Sequence, residues 1–230
     1  MDIVVTGASK GIGSEIVKYL DRSGNHTIYA LSRDQGKLSE LNHSTSQSTH
    51  VFPMDLTSVE ADTKFEECFS KAGKIDVIVN NAGQLINKKF LDSSAEDFVQ
   101  QFSSNVISAV KLIKFLYPYL KKSAHAHIVN ISSMGGFQGS SKFPGLSAYS
   151  TSKGALTTLT ECLAEEFISD NIAVNALALG AVRTEMLKAA FPKLDIGSDV
   201  AEMAKYIAEF ALTGHHYFNG KILPVSNSTP

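Results

Sequence analysis

The sequence predicts an α/β fold, in which one doubly wound domain over residues 1–230 carries a parallel sheet of about seven strands with helices on both faces. Short β-branched or apolar runs alternate with longer segments of helical period, which is typical of such a sheet. Apolar residues make up 43% of the 230 residues, which suits one domain with a sizeable core. The net charge of -2, with both signs scattered, gives no basic face for nucleic acid or an anionic membrane, so a small-molecule partner is expected.

Each element follows from a local pattern. Strands are predicted for the apolar or β-branched runs 2–6, 27–31, 50–54, 77–80, 127–132, 173–177 and 221–223. Helices are predicted to begin near Gly11, Asp34, Ser58, Ser94, Ser147 and Ser198, several of which can cap free N–H groups. The polar stretch 42–49 is expected to be a surface loop of low order.

The chain starts without a basic leader or a signal-like apolar segment, and no later apolar run is long enough to span a bilayer, so we expect a cytoplasmic protein. Cys68 and Cys162 lie far apart in helical patterns and are expected to be reduced core thiols. His125 and His127 share one strand face, but no third ligand lies nearby, so no metal site is predicted.

A glycine-rich turn follows the first predicted strand and precedes an amphipathic helix. It includes Gly7, Ser9, Lys10, Gly11, Ile12 and Gly13. Glycines let the backbone approach a pyrophosphate, whose charge the helix N-terminus then holds, as in Rossmann-type dinucleotide sites. The alternative is a turn that only connects strand to helix. A nucleoside triphosphate loop is disfavoured because no Gly-Lys-Ser/Thr follows the glycines.

The end of the second strand bears on the choice of nicotinamide cofactor. An acid there usually accepts from the adenosine ribose, but this chain has Ser32 and Arg33. Arg33 can bind a 2′-phosphate through two parallel hydrogen bonds, and Lys10 can add a second positive charge. This pair of side chains favours NADP(H). The alternative is that both are solvated charges and that Asp34 supplies the acid.

Tyr149 and Lys153 are four residues apart on a predicted helix, which places the phenol beside the ammonium. A neighbouring positive charge favours the phenolate and lowers the pKa of a tyrosine, which would make Tyr149 a proton donor near neutral pH. Asn105 falls on the apolar stripe of the helix that begins near Ser94, where a buried amide needs hydrogen-bond partners. Those partners are either a relay water or neighbouring backbone.

With these motifs, the chain resembles the short-chain dehydrogenase/reductase family from the first strand to Gly220. The resemblance implies that the run Asn80-Asn81-Ala82-Gly83 stabilises the sheet and lies against the adenosine side of the cofactor. It also implies a set of further contacts: Asp55, followed by Leu56, to adenine; Ser133 to the substrate oxygen; Asn105 to a water that relays protons to Lys153; and Gly180, Val182 and Thr184 around the nicotinamide carboxamide and phosphates.

The activity implied by the resemblance is hydride transfer between NADP(H) and a small carbonyl or alcohol. In it, Tyr149 protonates the carbonyl oxygen, Ser133 hydrogen-bonds that oxygen, and Lys153 lowers the tyrosine pKa and binds the nicotinamide ribose. A homodimer or homotetramer through the helices starting near Ser94 and Ser147 is implied as well. The alternative function is a non-catalytic NADP(H)-binding sensor or scaffold, for which the proton-relay residues would have no use.

The chain departs from the family pattern in three places. Ser133 precedes Tyr149 by sixteen residues rather than the usual thirteen, so the loop 134–146 is longer, and Ser132 is a fallback for the serine. Leu179 replaces a usual proline, which is expected to loosen the nicotinamide half-site. The segment 184–198, which corresponds to the substrate lid, is short and apolar, so an open and mainly apolar pocket is expected.

Overall fold

The structure, a computed structural model, describes residues 1–193 and 196–227. In that part of the chain seven parallel strands form one sheet in the order β3-β2-β1-β4-β5-β6-β7. Their bounds are β1 Asp2–Thr6, β2 Thr27–Ser32, β3 Thr49–Pro53, β4 Val77–Asn80, β5 Ala126–Ser133, β6 Ile172–Leu179 and β7 Ile222–Val225. The predicted doubly wound α/β fold is confirmed.

Eight α-helices lie between these strands in the described residues. Their bounds are α1 Gly11–Ser23, α2 Gln35–His43, α3 Ala61–Phe69, α4 Ala95–Phe102, α5 Ser108–Leu120, α6 Ser147–Glu166, α7 Glu185–Ala190 and α8 Val200–Thr213. Side-chain caps fix several of the starts. Ser94 and Asp97 form a reciprocal capping box at α4, and Asp34 caps α2.

Two apolar layers cover the two faces of the sheet. On one face, Ile3 and Val5 of β1 pack with Ile16 of α1 and Ile207 of α8. On the other face, the alternate strand residues pack against α3 and α5, where Phe65, Phe69, Leu112 and Leu116 are fully buried. Burial of both faces explains why the strands read as nearly continuous apolar runs.

From β1 the chain adds β2 and β3 on one side, and it then crosses to the other side of β1 to add β4 to β7. The strand order therefore reverses between the neighbouring strands β1 and β4. In open parallel sheets a crevice forms at such a point, outside the carboxyl ends of the strands. The glycine turn after β1 and the run 80–83 after β4 both lie at this edge. The topology therefore brings the predicted cofactor residues together.

A π-helical turn, Ser103–Ile107, joins α4 to α5, so the helix predicted from Ser94 continues through a bulge to Leu120. Asn105 lies within this turn and is 1% exposed. Single π-turns inside α-helices are frequent at functional sites because they redirect a side chain locally. The apolar period alone did not predict this turn.

The predicted low-order loop at 42–49 is wrong at both ends. Asn42 and His43 belong to α2, and Thr49 is buried in β3. Asp21 of α1 anchors the remainder, because its carboxylate accepts hydrogen bonds from Ser46 N–H at 3.0 Å and from Thr49 Oγ1 at 2.9 Å. Polar composition alone did not reveal that one carboxylate would order this segment.

Two other predictions are corrected, and a third feature, Leu179, is located. The third helix begins at Ala61 rather than near Ser58. Cys68 is buried as expected, but Cys162 lies on the exposed face of α6. β6 continues to Leu179, which is 5% exposed and pairs with Val225 of β7. Leucine keeps the N–H that proline lacks, which is compatible with a strand that runs to the edge of the site. The loosening expected of the nicotinamide half-site stays a prediction.

No helix in residues 1–193 and 196–227 combines the length and the apolar character that a bilayer span requires.

Candidate active site

The glycine turn after β1 forms a close-packed cradle. Gly7 and Gly11 have φ values of 65° and 57°, a region that other residues rarely adopt. A Cβ on Gly13 would lie 2.3 Å from Gly7 O and 2.6 Å from Asn81 Nδ2. Only glycine permits this approach. Lys10 precedes α1 without a side-chain cap bond, and the first turn of α1 carries no acid. The leading N–H groups of α1 therefore suit an anion.

Thr6 and Asn81 fasten this cradle to the end of β4. Thr6 Oγ1 accepts hydrogen bonds from Asn81 N–H at 3.0 Å and Ala82 N–H at 2.9 Å, while Asn81 Nδ2 donates to Thr6 O at 2.9 Å. Asn80 Nδ2 donates to Asn130 Oδ1 of β5 at 2.8 Å. The run after β4 thus connects β1, β4 and β5, in line with the sheet-stabilising role expected for it.

The end of β2 borders the other side of the cradle. Ser32 Oγ donates to Ser9 Oγ at 2.8 Å, which joins the two loops. Asp34 Oδ1 accepts from Lys37 N–H at 3.0 Å, so this carboxylate is engaged as the cap of α2. Arg33 is exposed, and Lys10 Nζ lies 3.0 Å from Glu185 Oε2 of α7. Asp34 and Lys10 therefore have partners within the protein, whereas Arg33 is exposed.

Asp55 lies just beyond β3, near Arg33, and Leu56 beside it is buried. Partial burial alone would raise the pKa of Asp55. Hydrogen bonds from the side chain and N–H of Thr57, with the charges of Arg33 and Lys111, outweigh this effect and lower the pKa below its ordinary value. Asp55 is therefore an ionised acceptor at neutral pH.

Tyr149 and Lys153 lie at the start of α6, facing the ends of β5 and β4. Lys153 Nζ is 5.9 Å from the centre of the Tyr149 ring and donates to Ile131 O at 2.8 Å. Ser133, at the end of β5, acts on the phenol of Tyr149 and lowers its pKa. The three predicted side chains thus meet at one place.

The pKa values of this pair differ from the expectation. Burial raises the pKa of Tyr149 above its ordinary value, and the hydrogen bond with Ser133 offsets only part of the rise. Burial also lowers the pKa of Lys153 to about 8. The predicted lowering of the Tyr149 pKa by Lys153 is not what the structure shows, because desolvation dominates both groups. Tyr149 holds its proton at neutral pH, and Lys153 is mostly charged below pH 8.

Asn105 reaches this site from the π-turn. Its Oδ1 accepts from Gln84 N–H at 2.7 Å, and its Nδ2 donates to Gln84 O at 3.0 Å and Ser152 Oγ at 2.8 Å. These bonds match the alternative of an amide satisfied by neighbouring protein groups. A Cβ on Gly83 would lie 2.9 Å from Asn105 Oδ1 and 3.3 Å from Lys153 Nζ, so Gly83 lets these two side chains approach the loop after β4.

The long loop 134–146 is held by its own hydrogen bonds and by α6. Ser133 Oγ accepts from Gly135 N–H at 3.2 Å, and Lys142 Nζ donates to Phe137 O at 2.6 Å. Gly136 presses on α6, because its Cβ would lie 2.5 Å from the carbonyl carbon of Lys153. The additional residues therefore bulge outward, and Ser133 keeps its place at the strand end.

Ser132 has a different environment from Ser133. Its hydroxyl is buried and donates to Lys153 O at 3.0 Å, which ties β5 to α6. The fallback role for Ser132 therefore has no geometric support, since its hydroxyl is committed to the helix backbone.

A groove of about 710 Å³ is lined mainly by the long loop 134–146 and the start of α6. It includes Gly135 and Ser150, the near neighbours of Ser133 and Tyr149, and its wall is mainly apolar. The side chains that give it this character are Phe90, Phe137, Phe143, Pro144 and Leu146, with Lys89 and Lys142 also contributing. The open, mainly apolar pocket expected from the short lid 184–198 is a different feature, because no described residue of that segment lines this groove.

The predicted lid segment is anchored at both ends. Val182 is buried and bridges to Ser198, and Ser198 N–H donates to Ala181 O at 2.9 Å. Thr184 caps α7 by accepting from Leu187 N–H at 3.2 Å. Gly180 N–H donates to Val225 O at 3.0 Å at the sheet edge. Residues 194 and 195 of the predicted lid lie outside the described residues.

His127 is fully buried on β5 beneath α8. Its Nδ1 lies 2.9 Å from Ala211 O and its Nε2 lies 3.0 Å from Asn175 Nδ2, so both ring nitrogens have protein partners. Burial lowers the pKa of His127 to about 4. Within the part of the chain that the structure describes, no cluster of three metal-ligating side chains is found.

Several residues at the site were missed by sequence reasoning. Ser152 bonds Asn105 and also donates to Tyr149 O at 2.7 Å. Gln101 is fully buried, and in the amide orientation that satisfies both ends it donates to Gln84 O at 3.0 Å and accepts from Tyr149 N–H at 3.2 Å. Its position four residues before Asn105, on the same apolar stripe, was the available signal. Glu185 and Lys37 were missed as well.

Comparisons with known proteins agree with this geometry. Residues 2–195 match the family model described as short chain dehydrogenase. An uncharacterized oxidoreductase of Bacillus subtilis (strain 168) is 34% identical over 80% of this chain, and a fatty acyl-CoA reductase of Acinetobacter baylyi is 32% identical over 80% of it. These two matches span 65% and 63% of the relatives' own lengths, so each relative is considerably longer than the matched part.

Among solved structures, a 7 alpha-hydroxysteroid dehydrogenase complexed with NADH and 7-oxo glycochenodeoxycholic acid is 26% identical, with a TM-score of 0.88 over 99% of this chain and 93% of its own. The likeness therefore extends over the whole sheet and its helices. Together with the matched family model, it shows that the chain belongs to the short-chain dehydrogenase family of oxidoreductases.

Proposed function

We propose that the protein is an NADPH-dependent reductase of small, apolar carbonyl compounds, with Tyr149 as the general acid. The observation that carries this proposal is the meeting of Tyr149, Ser133 and Lys153 beside the cradle. The buried ammonium of Lys153 lies 5.9 Å from the centre of the Tyr149 ring, and Ser133 acts on the phenol from the end of β5. A binding module has no need for this arrangement.

The chemistry assigned to these side chains follows from their protonation. When bound, the nicotinamide cofactor supplies the hydride. Tyr149 gives its proton to the carbonyl oxygen, and Ser133 hydrogen-bonds that same oxygen. Lys153, whose pKa of about 8 leaves it mostly charged at neutral pH, is proposed to bind the ribose of the nicotinamide half. In the reverse direction, Tyr149 accepts the proton of an alcohol.

Asn105 acts in this proposal as a positioning residue. Its amide holds both backbone groups of Gln84 and the hydroxyl of Ser152, which in turn bonds Tyr149 O. The loop after β4 and the first turn of α6 are thereby kept in register. The relay water that the family resemblance implied is not needed to satisfy this amide.

The residues around the cradle fit a dinucleotide. The glycines before α1 pack closely and have no side chains, so the backbone N–H groups at the start of α1 are accessible to a ligand. Asp55 is an ionised acceptor beyond β3. Gly7, Ser9, Gly11, Ile12 and Gly13 are proposed for the pyrophosphate, Ala82 and Gly83 for the cofactor's path across the sheet, and Gly180, Val182 and Thr184 for its nicotinamide end.

NADP(H) is proposed over NAD(H) because three positive side chains lie after β2 and beside the cradle, where they could bind a 2′-phosphate. Arg33 is exposed at the end of β2, and Lys10 and Lys37 both lie within 3.5 Å of Glu185. The rival acid, Asp34, is committed to the cap of α2. The similar 7 alpha-hydroxysteroid dehydrogenase was solved with NADH, so the preference for NADPH over NADH needs a direct test.

The test of cofactor choice is a fluorescence titration of NADPH and NADH into the wild type and Arg33→Ser. We expect the wild type to bind NADPH more tightly, and Arg33→Ser to weaken NADPH binding about 10-fold, as loss of a charge-assisted bond predicts, with little effect on NADH. A clear NADH preference in the wild type would contradict the role of Arg33. Tight NADPH binding without oxidation across aldehydes, ketones and quinones would favour a sensor or scaffold.

An apolar substrate is proposed from the groove beside Gly135 and Ser150, whose wall carries three phenylalanines. Similarity to a fatty acyl-CoA reductase agrees with an apolar substrate chain.

Self-association is proposed through α4, α5 and α6. Val99 of α4 and Ile107 of the π-turn that joins α4 to α5 are 57% and 44% exposed. Val106, beside Ile107 in the π-turn, forms a small separate buried apolar cluster with Ala109 of α5 and Leu156 of α6. Exposed apolar area that continues a buried cluster is typical of a protein interface.

A further inference from the structure

Glu185, the first residue of α7, lies at the mouth of the phosphate cradle. Its Oε2 is 3.0 Å from Lys10 Nζ and 3.5 Å from Lys37 Nζ. The two lysines come from different elements, the turn before α1 and the first turn of α2. One carboxylate oxygen therefore holds together two cations that flank the crevice.

Thr184, the residue before Glu185, packs against the cradle. A Cβ on Gly11, whose N–H begins α1, would meet Thr184 Cγ2 at 3.7 Å. Hydrogen bonding from Lys10 and the charges of both lysines lower the pKa of Glu185, so the group is ionised at neutral pH. A negative charge thus occupies a place that two lysines make favourable for anions.

We propose that Glu185 is an internal substitute for a cofactor phosphate, and that it limits the preference for NADPH over NADH. This inference rests on the proposed function. A phosphate monoester carries about -1.5 to -2 charges at pH 7 and three acceptor oxygens, so it competes well for two ammonium groups held by one carboxylate. All three side chains are exposed, and exposed ion pairs exchange at little cost.

The inference assigns Lys37 a role that the sequence did not indicate. Once the carboxylate is displaced, Lys37 and Lys10 both face the phosphate, with Arg33 four residues before Lys37. The 2′-phosphate is present in NADPH and missing from NADH. Removal of the competing carboxylate should therefore increase the affinity for NADPH more than the affinity for NADH. In NADH, the pyrophosphate is the only group repelled by that carboxylate.

The test measures dissociation constants for NADPH and NADH by cofactor fluorescence in low salt. Glu185→Gln should bind NADPH about two- to fivefold more tightly than the wild type, with a smaller change for NADH, and the gain should shrink in high salt. Glu209→Gln is the matched control, because Glu209 is an exposed partner of Lys205 on α8. It should bind both cofactors like the wild type.

A second variant makes the result specific. Lys37→Gln should weaken NADPH binding and reduce the gain from Glu185→Gln in the double variant, since the two side chains share one contact. Unchanged or weaker NADPH binding by Glu185→Gln would overturn the inference while leaving the proposed function intact. Failure of the wild type to bind either cofactor would overturn both.

Discussion

Lys153 is the residue on which the site's electrostatics depend. It is 4% exposed, its ammonium is satisfied by Ile131 O, and burial lowers its pKa from 10.5 to about 8. The folded protein therefore disfavours a charge that the proposed chemistry uses. Perturbed pKa values of this kind are typical of functional sites, where stability is given up for reactivity.

The pKa of Lys153 predicts a pH-dependent stability. Because the unfolded chain binds this proton more readily between about pH 8 and 10.5, wild-type stability gains from Lys153 as pH rises through that window. Lys153→Met removes the titration. Its stability relative to the wild type should therefore fall by on the order of 3 kcal/mol between pH 7 and pH 10.5.

Urea unfolding at several pH values measures this difference. Lys114→Met, on the exposed face of α5, controls for the loss of a surface lysine. A stability difference for Lys153→Met that stays constant with pH would contradict the account.

At the residue scale, the sequence predicted which side chains meet but not how they ionise. Helical spacing placed Tyr149 beside Lys153, and strand alternation separated Ser132 from Ser133. The direction of the Tyr149 pKa was wrong, because it depends on how much of the phenol the folded protein shields from water. Spacing carries no information about that shielding.

At the element scale, the contact between α6 and the loop after β5 keeps Ser133 near Tyr149. Gly136 makes this contact possible, since its Cβ would lie 2.5 Å from the carbonyl carbon of Lys153 and 2.6 Å from Gly154 N. Both are backbone atoms, which cannot move aside as a flexible side chain would. The fit of β5 against α6 is therefore sensitive to one methyl group.

Gly136→Ala should lower the free energy of unfolding by about 1–3 kcal/mol, because overpacking forces the backbones apart. It should also lower turnover, since Ser133 and Tyr149 are on the two sides of the contact. Gly73→Ala is the matched control, as nothing lies within 4 Å of its Cβ. Equal unfolding midpoints in urea for the two variants would show that the contact is looser than described.

Elements were predicted well where pattern and caps agree. The first and fourth strands have the predicted bounds, and Ser94 caps α4 as expected. The π-turn at Asn105 and the order of the loop 44–48 were not predicted. The first depends on one additional residue within a helical pattern, and the second depends on Asp21, which is distant in sequence.

At the scale of the whole molecule, strand order decides where the site lies. The sequence predicted parallel strands, but not which strands are neighbours, because register and order depend on long-range pairing. The reversal between β1 and β4 brings the cradle, Asn81 and Gly83 to one edge. Val99 of α4 and Ile107 of the π-turn remain exposed on the helices that follow β4.

Val99→Glu combined with Ile107→Glu should convert the proposed dimer or tetramer to a smaller species, because two buried charges would oppose association. Ile168→Glu, at a 64% exposed residue after α6, is the control and should leave the mass unchanged. Light scattering coupled to size exclusion measures the mass. A monomeric wild type would contradict self-association.

The central claim is that Tyr149 donates the proton in carbonyl reduction. The direct test is Tyr149→Phe, which keeps the ring and removes the hydroxyl, compared with Tyr206→Phe at a 42% exposed residue of α8. NADPH oxidation is measured with the carbonyl that the wild type reduces best, and NADPH binding is measured in parallel. Tyr149→Phe should bind NADPH like the wild type and lose about 10²–10⁴-fold in turnover, whereas Tyr206→Phe keeps both. Wild-type turnover in Tyr149→Phe would contradict the claim.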